Sequence, residues 1–285
     1  MHMNTVDRRW FGGSSGNRLA ADAGGPPGAA PVLLLHGGGQ TRHSWGNAQR
    51  QLIAAGYRVL ALDSRGHGES DWVAGGEYGL ESQVADVVGV ARALGRQPAL
   101  VGASMGGINA MIACGDYPDL ARALVLVDVT PRLEPEGIDQ IERFMGANLD
   151  GFASIQDAAD AVAAYYPARV RPASLDGLRK NLRLRDDGRW YWHWDPAMFG
   201  GDREPKIRAM RKRMLAAAER IRIPTLLVRG ARSEIVSPAG IEELRAHLPH
   251  LEFVDIADAG HMIAGDRNDA FNEAVADFLR RHLPP

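Results

Sequence analysis

The run Val101-Gly102-Ala103-Ser104-Met105-Gly106-Gly107 concentrates the residue types that do covalent chemistry. Ser104 has glycines two positions to either side, a G-x-S-x-G pattern. Before it, Pro98-Ala99-Leu100-Val101 is short and apolar and predicts a buried strand; after it, Ile108 to Cys114 predicts a helix. A chain that turns directly from strand into helix crowds its turn residue, and the glycines leave room for neighbouring backbone. The hydroxyl is then pushed out above the sheet at a helix N-terminus, where negative charge is favoured. A serine so placed suits attack on a carbonyl. Gly102, Gly106 and Gly107, with Asp128 at the tip of a later strand, also mimic a dinucleotide-binding turn. In that turn the second glycine admits a pyrophosphate, and here Ser104 fills the place, which argues against it.

An uncharged serine needs an adjacent base. His261, in Ala259-Gly260-His261-Met262, lies in a loop directly after a strand, so its ring can reach back over the sheet edge. That base needs a carboxylate to hold its tautomer. No cluster of metal-ligand type stands out, so neither metal nor cofactor is expected.

The elements that must position these groups alternate. Pro31 to Leu35 is an apolar strand ending in His36-Gly37-Gly38-Gly39. A helix is predicted over 44–55, a strand over 58–62 and a helix over 82–94. Then come the Ser104 strand and helix, and a strand over 123–127 ending at Asp128. Strands alternating with helices over short connections predict a doubly wound α/β fold with a mostly parallel sheet. Arg9 to Phe11 and Asn17 to Ala21 predict a leading hairpin. The alternation breaks from 131 to 220, which reads as a helical cap or lid with no apolar strand. It resumes with a strand over 223–230, a helix over 238–247, a strand over 251–256 and a helix over 268–282. The expected organisation is therefore a core of 1–130 and 221–285 with a lid of 131–220.

The chain has 285 residues, 45% of them hydrophobic, and a net charge of −2. It is large enough for one α/β domain with an insertion. The absence of a basic block argues against nucleic acid as a partner, and no apolar run is long enough to span a membrane. The single cysteine, Cys114, excludes an intrachain disulfide. A cytoplasmic protein acting on a small molecule is expected, with a homodimer left open.

Four segments in this order resemble the α/β-hydrolase superfamily over nearly the whole chain outside the lid. They are His36-Gly37-Gly38-Gly39, Asp63 to Ser70 (Asp-Ser-Arg-Gly-His-Gly-Glu-Ser), Gly102 to Gly106, and Ala259 to Met262. The resemblance implies a nucleophile, acid and histidine in chain order. It puts the acid at Glu234, in the loop after the penultimate strand, although that place more often holds Asp; Asp128 is the alternative seen in some members. It also implies an oxyanion hole from the Met105 and Gly38 backbone N–H groups. Asp63 to Ser70 reads as a structural turn in which Asp63 and Arg65 can pair.

Tyr165-Tyr166 and Trp190-Tyr191-Trp192-His193-Trp194 concentrate aromatics in the lid. They either pack the lid or wall the substrate; if the segment is extended, Trp190, Trp192 and Trp194 share one face. The expected function is cofactor-free hydrolysis of a small, largely apolar ester or lactone. The alternatives are carbon–carbon bond hydrolysis of an aromatic-degradation product, perhydrolysis by the same triad, and a small-molecule receptor with a vestigial triad.

Overall fold

A computed structural model describes residues 6–165, 175–198, 202–257, 259–261 and 269–285. Tyr166, Met262 and Asn268 lie outside the described residues. In chain order the first half contains β1 (Asp7–Gly12), β2 (Arg18–Gly24), β3 (Pro31–Leu35), α1 (Gly46–Ala54), β4 (Arg58–Leu62), α2 (Leu80–Ala93), β5 (Ala99–Ala103), α3 (Met105–Asp116) and β6 (Ala123–Val127). Then follow α4 (Pro135–Met145), α5 (Ile155–Tyr165), α6 (Asp176–Arg179), β7 (Leu182–Leu184), β8 (Trp190–Trp192) and α7 (Arg203–Ala218). The chain closes with β9 (Thr225–Gly230), α8 (Pro238–His247), β10 (Leu251–Ile256) and α9 (Asp269–His282).

The main sheet has eight strands in the order β1-β2-β4-β3-β5-β6-β9-β10. β1 and β2 form the antiparallel hairpin, β2 pairs antiparallel with β4, and every other pair is parallel. Side chains alternate between two cores, as a sheet covered on both faces requires. Leu33, Leu100, Leu124 and Leu227 point into one core with α2, α3, α7 and α8. Val32, Leu34, Val101, Val125 and Val228 point into the other with α1 and α9.

Strand order reverses at β3, with β4 on one side and β5 on the other. Such a reversal opens a crevice at the carboxyl ends of the strands. The register aligns those ends: Leu35 sits beside Gly102, Ala103 beside Val127, and Gly230 beside Ile256. The loops that begin at His36, Ser104, Asp128 and Ala231, and the loop that carries His261, therefore emerge along one edge.

The insertion between β6 and β9 departs from expectation in two ways. It is not purely helical: β7 and β8 pair as an antiparallel hairpin, with Leu182 beside Trp192 and Leu184 beside Trp190. This hairpin belongs to a separate apolar cluster of Met145, Phe152, Ala158, Leu182, Trp192 and Trp194. Its strands are only 3 residues each, too short for an alternation to show in sequence, and only β8 is aromatic. Second, α7 packs on the main domain, where Met214, Ala217 and Ala218 join the core. It covers α3 so closely that a Cβ on Gly115 would lie 2.5 Å from the Ala217 backbone.

The Asp63–Ser70 turn also pairs differently from expectation. Asp63 takes the Arg42 guanidinium and the Arg42 and Glu69 N–H groups, while Arg65 binds Asp86 at 2.7 Å. Asp63 and Arg65 thus each have their own partner. Both pairs are buried, so each charge is matched without the other.

Candidate active site

Ser104 occupies φ 46°, ψ −116°, a region that L side chains rarely adopt. Such strain costs of order 1–3 kcal/mol and persists only where the surroundings enforce it. Three backbone hydrogen bonds do so: Ser104 N–H to Val127 C=O at 3.1 Å, Gly106 N–H to His36 C=O at 3.1 Å, and Ile108 N–H to Ser104 C=O at 2.9 Å. The flanking glycines are sterically required. A Cβ on Gly102 would lie 2.5 Å from the Gly106 carbonyl carbon, and one on Gly106 would run into the Leu35 carbonyl. The turn predicted from sequence is therefore present, with Met105 the first residue of α3.

Beyond the neighbouring strand end, Asp128 also has positive φ, 49°. Its N–H is held by Val228 C=O at 2.8 Å, and its side chain is fully buried. Asp128 Oδ2 accepts from His261 Nδ1 at 2.6 Å and from Ser233 Oγ at 2.6 Å, while Oδ1 accepts from Gly230 N–H at 3.2 Å. The carboxylate beside His261 is therefore Asp128, the alternative acid. Glu234, the preferred acid, is exposed. The reason is local. Ser233 turns inward, where its hydroxyl accepts the Ile235 and Val236 N–H groups at 3.2 and 3.1 Å, and the next side chain along is turned out to solvent.

His261 reaches this place because the loop after β10 lies on the loop after β9. Arg232 N–H donates to Ala259 C=O at 2.9 Å, and Ala231 N–H to Ile256 C=O at 2.9 Å. A Cβ on Gly230 would collide with the Ala259 and Gly260 carbonyls, so only glycine allows the approach. Donating Nδ1–H to Asp128 leaves Nε2 as the basic nitrogen.

The loop after β3 lies against the serine: a Cβ on Gly37 would be 3.4 Å from Ser104 Cβ. Its N–H groups can be accounted for one by one. Gly37 N–H goes to Gln40 Oε1 at 3.1 Å, Gly39 N–H to His67 Nε2 at 3.1 Å, and Gln40 N–H to Gly37 C=O at 3.1 Å. Gly38 N–H is left without a described partner. Met105 N–H, at the start of α3, is one of the donors a helix cannot satisfy itself.

The three tryptophans separate. Trp194 is buried and lies 3.4 Å from where a Gly39 Cβ would be, with Met145 Cε at 3.0 Å. Trp192 stacks on Trp194 with centroids 4.8 Å apart and is buried against Phe152 and Phe144. Trp190 is half-buried, with the Arg179 guanidinium 5.3 Å over its ring. The strand is extended, yet only Trp194 abuts the glycine loop. Tyr165 stacks on Phe144 at 4.3 Å.

Sequence reasoning passed over Ser233, Met145, His67 and His193. His67 stood within a turn assigned to structure, and His193 was noted only as a spacer between tryptophans. Among the described residues no group of three or more His, Cys, Asp or Glu is arranged to hold a metal ion. No described helix is long and apolar enough to cross a membrane.

Comparison with known proteins gives the family of the fold. Residues 30–267 match the model of the alpha/beta hydrolase fold family. An esterase of Mycobacterium tuberculosis is 32% identical over 260 residues, covering 88% of this chain and 84% of that one. The 2-(acetamidomethylene)succinate hydrolase of Mesorhizobium japonicum is 28% identical over 257 residues, covering 88% and 89%. A crystal structure of E-2-(acetamidomethylene)succinate hydrolase superposes with a TM-score of 0.82 at 26% identity, covering 96% of this chain and 99% of that one.

Proposed function

Because this chain is an enzyme of the alpha/beta hydrolase fold family, we propose that it cleaves a small, largely apolar carboxylic ester or lactone through an acyl-enzyme on Ser104. The observation that carries the reading is the 2.6 Å hydrogen bond from His261 to the buried Asp128 carboxylate, beside a strained serine at a helix N-terminus.

Each residue then has a derived role. Asp128 fixes the His261 tautomer with Nδ1 protonated, so Nε2 takes the Ser104 proton as Oγ attacks the carbonyl. The positive charge that forms on His261 faces the Asp128 carboxylate. Gly38 and Met105 N–H, neither of which has a partner among the described residues, receive the developing oxyanion. His261 next gives its proton to the leaving alcohol, and water repeats the sequence to release the acid. The insertion serves as a lid, with Trp194 and Met145 as an apolar wall beside the glycine loop. The name of the M. tuberculosis relative supports an ester as the bond cleaved.

A fluorophosphonate probe is expected to add once, at Ser104, as read by intact mass and peptide mapping. Ser104→Ala should lose labelling, and its kcat on p-nitrophenyl butyrate should fall about 10⁴-fold or more, because triad members act as a unit. Labelling that survives Ser104→Ala overturns the assignment.

A further inference from the structure

Three buried histidine rings lie in a row behind the glycine loop. The His36 and His67 centroids are 5.0 Å apart, and those of His67 and His193 are 5.7 Å apart. His36 and His67 belong to the main domain, whereas His193 comes from the insertion, just after β8. All three are at most 1% exposed.

Each ring spans from the glycine loop to the Asp63–Ser70 turn. His36 Nδ1–H donates to Gly37 C=O at 2.7 Å, and its Nε2 accepts from Ser64 N–H at 2.9 Å. His67 Nε2 accepts from Gly39 N–H at 3.1 Å, and its Nδ1–H donates to Arg65 C=O at 3.1 Å. His193 Nε2–H donates to Gly39 C=O at 3.2 Å, and its Nδ1 accepts from Gly68 N–H at 2.7 Å. The backbone partners dictate the tautomers: an N–H can only donate and a carbonyl only accept. Every ring is therefore neutral, with one donor and one acceptor used.

These contacts fall on three successive peptide units. The unit joining 37 to 38 carries the Gly38 N–H, and His36 holds its oxygen. His67 holds the N–H of the 38–39 unit. His193 holds the oxygen of the 39–40 unit. A peptide unit is planar, so anchoring its oxygen aims its N–H. Gly39 has φ +70° and no side chain to restrict it, so without outside restraint this segment has many conformations. We infer that His193, reaching in from the insertion to the Gly39 carbonyl, completes a three-histidine clamp that aims the Gly38 N–H at the reacting oxygen. It is thus a positioning residue for the oxyanion donor. This inference rests on the serine-hydrolase reading above.

Two amide substitutions separate the two ends of His193. Asn is short and places an acceptor where Nδ1 meets Gly68, but loses the reach to Gly39. Gln extends an amide donor to the Gly39 carbonyl. Misplacing a donor by about 1 Å can cost up to 10²-fold. On p-nitrophenyl butyrate, His193→Asn is expected to lower kcat at least about tenfold with KM changed less than about threefold, and to weaken phenylboronic acid by a similar factor, because the boronate adduct places an oxygen in the same hole. His193→Gln is expected to recover most of that loss. Equal activity in the two variants, or Asn more active than Gln, overturns the clamp, since a merely structural tie to Gly68 gives that order. Should either variant fail to fold, the wild type decides by NMR. The His193 Nε2–H resonance must shift when phenylboronic acid binds, and an unmoved resonance overturns the clamp. Turnover in Ser104→Ala within about tenfold of the wild type would instead strike the serine-hydrolase reading.

Discussion

The acid beside the histidine is Asp128, and its environment explains how a carboxylate there can serve. Three donors converge on it, from His261, Ser233 and Gly230, and its positive φ aims the side chain back over the sheet edge. Glu234 has one more methylene and stands in a loop, but its neighbour Ser233 takes the inward position. Asp128→Ala is therefore expected to lower kcat on p-nitrophenyl esters by about 10³-fold or more, because the imidazole loses both its tautomer and its counter-charge. Glu234→Ala should stay within about twofold, as surface substitutions remote from chemistry usually do. Comparable losses at both positions would contradict the Asp128 assignment. Cys114 takes no part: burial pushes its thiol up to about 12, so it behaves as a small hydrophobe in α3.

At the scale of elements, the insertion makes, besides the packing of α7, two kinds of contact with the main domain near the site. One is polar. His193 holds Gly68 and Gly39, Tyr78 OH donates to Asp195 Oδ2 at 2.5 Å, and Arg183 donates to Gly68 C=O. The other is aromatic, where Trp194 and Met145 press on Gly39. Tryptophan buries a large area with little entropy to lose, so one well-placed ring can dominate an apolar wall. Trp194→Ala is expected to raise KM for p-nitrophenyl butyrate about tenfold, near 1.4 kcal/mol, with a smaller effect on the acetate. Trp190→Ala, at the half-buried edge of the insertion's apolar cluster, should change KM less than about twofold while still lowering the melting temperature. Equal KM effects at both positions would mean that these rings only pack the insertion.

Across the whole molecule, the three neutral histidines make stability depend on pH. Burial holds His36 and His193 below the ordinary histidine range, and burial with the neighbouring His36 brings His67 down to about 3. The unfolded chain titrates these rings near 6.5. Below that pH the unfolded state binds protons that the folded state refuses, so stability is fully present above about pH 6.5 and is lost as pH falls towards the folded values. Each ring can contribute up to about 1.4 kcal/mol per pH unit in that window. Urea denaturation at pH 7, 6 and 5 should show a steep decline, and His67→Gln should reduce its slope. A flat stability from pH 7 to 5 would contradict neutral, clamped rings.

Local sequence determined much of this protein because much of it is set by neighbours in the chain. The runs at 31–35, 58–62, 123–127 and 251–256 are strands with the predicted bounds; in the first three a nearly continuous apolar run between turns has no other stable use in a two-sided sheet, while the last is an edge strand that carries Glu252 and Asp255. The Ser104 turn was equally legible: Gly102 and Gly106 are the residues its own steric crowding demands. The Trp-rich hairpin was not, because pairing across β7 and β8 supplies what three residues of pattern cannot. Only the tertiary structure shows that Asp128, and not Glu234, lies against His261. Both follow strands that end along one edge, and the choice depends on which way each side chain leaves its loop. The partnership of His193 with Gly39, 154 residues apart, likewise has no local signature. It exists because the insertion folds back over the sheet, and a hydrogen bond between distant residues depends on where the chain puts them.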